Sequence, residues 1–174
     1  MAVRMITDDE AGALAGIYSE IRSCLGLRAV PNVFRAMAAV NADVLIQNWT
    51  AYRHTFLDGE LPRVLKEMVG LVVSRQNACD YSERFHAHVL ELLGVPGEVI
   101  RNLVESGDSE RVPAPHRPVL KFARAYFGAA ADAPTEGLEA AGLTEEETQE
   151  VIDTVLLVES MNQFAAESDV PVDG

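Results

Sequence analysis

The stretch from Leu61 to Gly94 constrains the fold more than any other, because it predicts two helices joined by a polar corner. In the first of these helices, apolar side chains fall on nearly every side of a helical wheel. They are Leu65, Met68, Val69, Leu71, Val72 and Val73. A helix that is apolar around most of its circumference must be covered by other helices or by a second subunit. We therefore expect the rest of the chain to pack around this segment.

The remaining segments repeat the helical spacing, and none shows a sustained alternation of apolar and polar residues. The apolar stripes run from Leu14 to Leu25, Leu45 to Phe56, Val119 to Tyr126 and Val151 to Phe164. Asn41 can cap the helix that carries the second stripe, and Thr144 and Glu147 form a capping box before the last stripe. A length of 174 residues suits one folded unit with a sizeable core. The sequence therefore predicts a single all-α domain over residues 1–174.

Three segments are expected to lie outside the helices. Residues 105–115 are polar and contain Gly and Pro, which predicts the longest loop. Residues 128–134 read as a short connection of small residues. The tail after Ser168 is expected to be frayed, as chain ends commonly are.

The composition of the chain argues against several classes of binding partner and against a zinc site. The net charge of −13 opposes binding to nucleic acid and to anionic membranes. No run of about 18 apolar residues predicts a membrane span, and the first residues lack the apolar core of a secretion signal. Cys24 and Cys79 are far apart and form neither a Cys-x-x-Cys pair nor a zinc motif. We expect a reduced, cytoplasmic protein that uses no metal ion or other cofactor.

Four polar side chains stand out within the central stretch. Glu67 lies on its first helix, while Cys79, Ser82 and His86 follow at i, i+3 and i+7, which places them on one face of the second helix. A thiol, a hydroxyl, an imidazole and a carboxylate together can support proton-transfer chemistry. The alternative interpretation is a helical hairpin in which the cysteine and the histidine merely pack.

Local signals refine two of these positions. Asn77 followed by Asp80 predicts an N-cap and its N3 partner, which would place Cys79 at N2, where free N–H groups and the helix dipole stabilise a thiolate. Glu67 falls at the edge of the apolar surface of its helix. It could be tucked under the second helix, or it could pair with Arg63 at the rim.

The motif Glu-x11-Cys-x2-Ser-x3-His resembles that of the carboxymuconolactone decarboxylase and alkylhydroperoxidase D-like family. In that family a Glu is followed twelve residues later by Cys-x-x-Cys, with a His four residues after the second cysteine. Glu67, Cys79 and His86 match, whereas Ser82 stands where the peroxidases of the family carry their attacking cysteine. The similarity extends over about residues 31–166 and is closest to the peroxidase-related subgroup.

The resemblance implies an alkylhydroperoxidase D-like helical bundle. Such proteins are often homo-oligomers of two, three or six subunits, with the active site near a subunit contact. The apolar helices predicted over 61–74 and 144–165 point the same way, because one domain would have difficulty burying both.

Three functions are compatible with these residues. The first is a peroxidase-like oxidoreductase in which Cys79 attacks a hydroperoxide, Glu67 and His86 relay protons, and an external thiol completes the cycle. Ser82 cannot replace the missing cysteine, because a hydroxyl has no sulfenic state.

The second is a cofactor-free decarboxylase or isomerase. Here His86 and Glu67 would exchange protons with a small carbonyl or lactone substrate held by Ser82 and Cys79. An anionic substrate would need a basic neighbour, for which Arg75 and Arg84 are the nearest candidates. The third is a non-enzymatic oligomeric scaffold.

Overall fold

A computed structural model describes residues 3–126 and 133–174, and this part of the chain is helical and contains no strand. Its α-helices are α1 Ala15–Leu25, α2 Asn32–Val40, α3 Ala42–Tyr52, α4 Arg63–Gln76, α5 Asp80–Leu92, α6 Gly97–Ser106, α7 Arg117–Ala125, α8 Glu136–Glu139 and α9 Glu145–Glu167. The all-α prediction is confirmed. Most of the connection predicted over 128–134 lies outside the described residues.

Shorter helical turns extend two of these elements. A π-helical turn, Arg53–Leu57, continues α3, and 3-10 turns at Gly12–Leu14 and Ala114–His116 lead into α1 and α7. No helix in residues 3–126 or 133–174 is both long enough and apolar enough to cross a membrane.

Helix α4 lies at the centre of the fold. It packs against α5, α6, α7 and α9, and every residue from Leu65 to Ser74 is buried. Of the two alternatives for covering α4, other helices or a second subunit, the structure shows the first, because four helices of the same chain cover it. Assembly into an oligomer remains a prediction.

Capping residues begin two helices as the sequence indicated. The Asn41 side chain accepts hydrogen bonds from the backbone N–H groups of Asp43 and Val44 at the start of α3. Thr144 and Glu147 form both hydrogen bonds of a capping box at the start of α9. These side chains satisfy N–H groups that have no partner within the helix.

The corner between α4 and α5 differs from the prediction. Asn77 ends α4 instead of beginning α5, and Cys79 is the N-cap of α5, not its N2 residue. Ala78 adopts a left-handed conformation with φ 51°. The backbone N–H of Ala78 donates to the Arg75 oxygen, and the backbone N–H of Cys79 donates to the Ser74 oxygen. These two hydrogen bonds form the Schellman pattern of a helix C-terminus. This closure uses the residues that the sequence assigned to the next helix.

The C-terminal tail is held in place, so the prediction of fraying is wrong. Asp173 accepts hydrogen bonds from the Asn32 backbone N–H at 2.7 Å and from the Tyr81 hydroxyl at 2.9 Å. The Asn32 side chain donates to the Pro171 oxygen at 3.1 Å. The tail therefore joins the start of α2 to the first turn of α5.

Candidate active site

A buried carboxylate–imidazole pair joins the two central helices. His86 Nδ1 lies 2.8 Å from Glu67 Oε2, and the side chains are 6% and 0% exposed. Glu67 is therefore tucked beneath α5 and is not a rim carboxylate. The hydrogen bond to Glu67 engages Nδ1 and leaves Nε2 as the nitrogen that can exchange a proton.

The other oxygen of Glu67 is also engaged. Oε1 accepts a hydrogen bond from the Tyr52 hydroxyl at 3.1 Å and lies 3.4 Å from Arg63 Nε. Burial, followed by the charge of Glu67, raises the pKa of Tyr52 well above its usual value. Tyr52 therefore stays neutral and acts as a hydrogen-bond donor. Together these groups hold the carboxylate in one orientation.

Close packing positions the imidazole ring. Phe56, from the π-helical turn, stacks on His86 with ring centroids 5.6 Å apart, and Phe85 meets the ring edge-on at 5.3 Å. Gly70 of α4 faces the same ring, and a Cβ at this position would come within 2.5–2.7 Å of it. Glycine is thus required here for space, because any side chain would displace the imidazole.

Cys79 and Ser82 form a second buried pair. Cys79 Sγ lies 3.4 Å from Ser82 Oγ and 3.8 Å from the backbone oxygen of Asn162 on α9. The Asn162 side chain accepts a hydrogen bond from Ser74 at 3.2 Å. Its Nδ2 has no partner within the described residues. The thiol thus sits among polar groups contributed by α5 and α9.

The structure brings the four predicted residues into one buried layer as two hydrogen-bonded pairs. Ser82 and His86 are successive neighbours on one face of α5, four residues apart. In residues 3–126 and 133–174 no hydrogen bond links the thiol pair to the carboxylate–imidazole pair, and His86 Nε2 has no partner. Cys79 is only 7% exposed, so a substrate must be small or must enter through local opening.

The basic candidates lie elsewhere. Arg75 pairs with Glu83 at 3.5 Å on the surface, and Arg84 is exposed on another side of α5. Neither is hydrogen-bonded to the four site residues in the described structure. Within those residues no three acidic, histidine or cysteine side chains cluster closely enough to hold a metal ion.

Sequence reasoning missed several residues that shape the site. Tyr52 and Phe56 lie on an apolar stripe, a pattern that predicts packing in the core and gives no sign of a role in the site. Gly70, the single glycine inside α4, and Asn162, a polar residue on the apolar face of α9, were signals that could have been used. Each breaks the composition of its helix at a point where the site needs space or a polar atom.

Comparisons with known proteins find a family model that matches part of this chain and solved structures that share its fold. Residues 31–108 match the sequence model of the carboxymuconolactone decarboxylase family. No curated protein matches the chain significantly.

Several solved structures share the fold. A cysteine-to-alanine variant of the debrominase Bmp8, in complex with 2,3,4-tribromopyrrole, is 19% identical with a TM-score of 0.84, covering 100% of this chain and 92% of that one. A peroxidase-related protein from Silicibacter sp. TM1040 is 22% identical with a TM-score of 0.82, covering 94% and 86%. An alkylhydroperoxidase AhpD core protein from Ralstonia eutropha JMP134 is 21% identical with a TM-score of 0.81, covering 93% and 86%. The chain therefore has an AhpD-like helical fold, and its residues 31–108 resemble the carboxymuconolactone decarboxylase family.

Proposed function

We propose that the chain is a thiol-dependent oxidoreductase that reduces small hydroperoxides through Cys79. The observation that carries this proposal is the buried Glu67–His86 pair, one helical turn beyond a serine that contacts the thiol. An imidazole held by a carboxylate can take the proton of a nearby thiol and return it later.

The proposed reaction begins with loss of the Cys79 proton to His86 Nε2. The thiolate attacks the terminal, hydroxyl-bearing oxygen of the hydroperoxide, the O–O bond breaks, and the departing alkoxide takes the proton from His86 to become an alcohol. Cys79 is then a sulfenic acid. One external thiol condenses with it to give a mixed disulfide and water, and a second releases the Cys79 thiol.

Ser82 has a supporting role in this scheme. At 3.4 Å from the sulfur, its hydroxyl can donate a hydrogen bond to the thiolate. Cys79 is also the N-cap residue of α5 and so lies at the positive end of the helix dipole, where anions commonly bind. Since a hydroxyl cannot form a disulfide, the resolving thiol must come from outside the chain.

The similar structures support this class of substrate. Two of them are described as peroxidase-related proteins, and the debrominase was solved with a small halogenated pyrrole. Each description concerns that protein alone. For this chain they favour a small organic substrate.

A second candidate is an acid–base decarboxylase or isomerase acting on a small carbonyl or lactone. It is favoured by one observation: within the described residues the Glu67–His86 pair is assembled without a hydrogen bond to the thiol, which is itself buried. In that reaction Cys79 and Ser82 would bind the substrate, and His86 would move its proton.

The decisive experiment is Ser82→Cys in a Cys24→Ala background, which restores Cys-x-x-Cys. The present contact of 3.4 Å between the two side chains requires little movement for a disulfide. We expect an intrachain disulfide on mild oxidation and faster consumption of an organic hydroperoxide with a dithiol. Mass spectrometry after thiol blocking and a peroxide assay measure the two effects. Ser109→Cys, at another buried serine, is the matched control.

The outcomes separate the candidates. Hydroperoxide turnover by the parent that disappears in Cys79→Ala supports the proposal. A disulfide in Ser82→Cys without turnover in either protein favours the acid–base reaction. Absence of any turnover and of any thiol reactivity would leave the scaffold role.

A further inference from the structure

A cavity of about 950 Å³ lies against another side of α5, between the α1–α2 connection and the C-terminal tail. Tyr81, Arg84 and Phe85 line it from α5. None of the four candidate catalytic residues does. Phe85 separates the cavity from the active site, since its ring also contacts His86. The cavity is therefore a distinct feature that the proposed reaction does not use.

Positive charge collects around this cavity in an otherwise acidic chain. Arg28, Arg35 and Arg84 line it, although the net charge of the chain is −13. Six of the nine arginines elsewhere in the chain pair with carboxylates, namely Arg22, Arg53, Arg63, Arg75, Arg111 and Arg117. The three cavity arginines have no carboxylate partner among the described residues.

Two of the three are free to meet a ligand. Arg28 and Arg84 are exposed and have no hydrogen-bond partner in the described part of the chain. Arg35 donates to the Ile6 oxygen at 3.2 Å and lies 3.4 Å from Asn32 Oδ1. Guanidinium groups bind carboxylates through paired hydrogen bonds, which makes them the usual choice for planar anions.

The remaining wall is mainly apolar. Leu27, Val30, Phe85 and Leu92 contribute to it. A mostly apolar cavity with a few charged groups at its edge is the common form of a small-molecule site. The volume is sufficient for a molecule the size of a substituted aromatic ring system.

The wall already holds one carboxylate, which belongs to the chain itself. Asp173 is the single acidic side chain among the described lining residues, and Tyr81 and the N-terminus of α2 donate to its two oxygens. Burial raises the pKa of Asp173, while Arg35 and His88 act in the opposite direction. Its oxygens are thus engaged, and they leave Arg28 and Arg84 available to another anion.

We propose that this cavity binds an organic anion consisting of a carboxylate on a flat apolar body. The carboxylate pairs with Arg28 and Arg84, and the apolar body lies against Phe85 and Leu92. This site goes beyond the proposed hydroperoxide chemistry and does not depend on it.

The experiment titrates the full chain with 2-naphthoate and with its neutral counterpart 2-naphthamide, by calorimetry. We expect saturable binding of one naphthoate per chain and affinity for the amide that is at least about tenfold weaker. The double variant Arg28→Gln, Arg84→Gln should weaken naphthoate binding about tenfold or more. Arg101→Gln is the control, because Arg101 is exposed and does not line the cavity.

A variant that is expected to tighten naphthoate binding adds an independent test. Asp173→Asn removes the negative charge of the wall with little change of shape, so naphthoate should bind a few-fold more tightly. Circular dichroism confirms that each variant is folded.

Several results would overturn the proposal. They are absence of saturable naphthoate binding, equal affinity for the amide, or an unchanged affinity in the double arginine variant. Loss of binding in His86→Ala as large as in the arginine variant would place the probe in the active site instead. A light-scattering mass of a dimer combined with no binding would mean that a second copy covers the cavity.

Discussion

Two buried acid–base pairs start from neighbouring residues of α4 and behave as different kinds of structure. Lys66, 2% exposed, pairs with Glu150 of α9, whereas Glu67, 0% exposed, pairs with His86 of α5. Successive residues of a helix point about 100° apart, so the two side chains reach different helices. The difference lies in what surrounds each pair.

The Lys66 pair is surrounded by backbone groups. Lys66 Nζ also donates to the Asp58 oxygen at 2.5 Å. The Glu150 carboxylate accepts hydrogen bonds from the backbone N–H groups of Glu60 at 3.0 Å and of Leu61 at 3.2 Å. The pair therefore fastens the connection before α4 onto α9, and its polar atoms are directed to structural partners.

In the Glu67–His86 pair, the carboxylate has all its hydrogen-bond partners but the imidazole does not. Both carboxylate oxygens are engaged, but His86 Nε2 has no partner within the described residues and lies on the face of α5 that carries Ser82. Removing one partner from a buried pair whose groups are all engaged destabilises the fold strongly, whereas a pair with a free nitrogen can also transfer a proton. Four substitutions test this distinction.

The largest effect is expected from Glu150→Ala. The change leaves Lys66 as a buried charge without its carboxylate and removes the acceptor of two backbone N–H groups. We expect the free energy of unfolding to fall by about 3–5 kcal/mol, with the rate per folded molecule retained. Urea denaturation measures the loss. The control Glu146→Ala, at an exposed position on the same helix, should change stability by no more than about 0.5 kcal/mol. A loss below about 1 kcal/mol in Glu150→Ala would break the comparison.

Glu67→Gln should lower the rate strongly and the stability little, the opposite of what is expected for Glu150→Ala. The amide keeps the size of the side chain but cannot stabilise an imidazolium. We expect hydroperoxide consumption to fall about 10²–10³-fold, while stability falls by only about 1–2 kcal/mol. The peroxide assay and urea denaturation measure the two effects on the same preparation. A large loss of stability with an intact rate would make this pair structural, like that of Lys66.

Gly70→Ala tests whether the position of His86 matters as well as its identity. The added Cβ would lie 2.5–2.7 Å from three ring atoms, so the imidazole must move away from Glu67. We expect the rate to fall about tenfold to a hundredfold. Steady-state kinetics measures this loss. Gly97→Ala, where a Cβ meets no atom within 4 Å, is the control, and equal effects of the two changes would contradict the argument.

Tyr52→Phe should have the smallest effect. It removes one hydrogen bond to Glu67, which is worth about 1 kcal/mol, and should lower the rate less than tenfold. Because the pKa of Tyr52 is raised in the folded state, its contribution is complete below the unfolded value of about 10. That contribution is lost as pH rises through the folded value. The stability difference between parent and variant should therefore be constant from pH 7 to pH 9 and shrink only above about pH 10. Urea denaturation across this range checks it, and a difference that disappears near neutral pH would contradict the assignment.

Much of the fold could be predicted from local patterns. Helical periodicity identified α4 and α5, and the signals at Asn41 and Thr144 correctly marked helix starts. The spacing of Glu67, Cys79, Ser82 and His86 selected residues that the structure places in one layer. Whether these residues catalyse a reaction remains a prediction that the experiments above address.

Local patterns failed where two signals of equal strength competed. Asn77 is suited to either end of a helix, and the sequence does not say which. The left-handed conformation of Ala78 and two backbone hydrogen bonds decided that it closes α4. Cys79 is consequently the N-cap residue of α5, whereas the sequence predicted it in the first turn.

The sequence by itself determined the helices and the motif, because helical hydrogen bonds, caps and side-chain spacing involve residues about four positions apart. Only the tertiary structure decided the partners of the polar groups. Tyr52 meets Glu67 across 15 residues, and Asp173 meets Asn32 across 141. Such pairs form when packing brings buried donors and acceptors together, since leaving them unpaired costs free energy. No local pattern specifies which distant group a polar side chain will meet. For this reason the sequence predicted neither the hydrogen bonds that hold the C-terminal tail nor which helices of the chain cover α4.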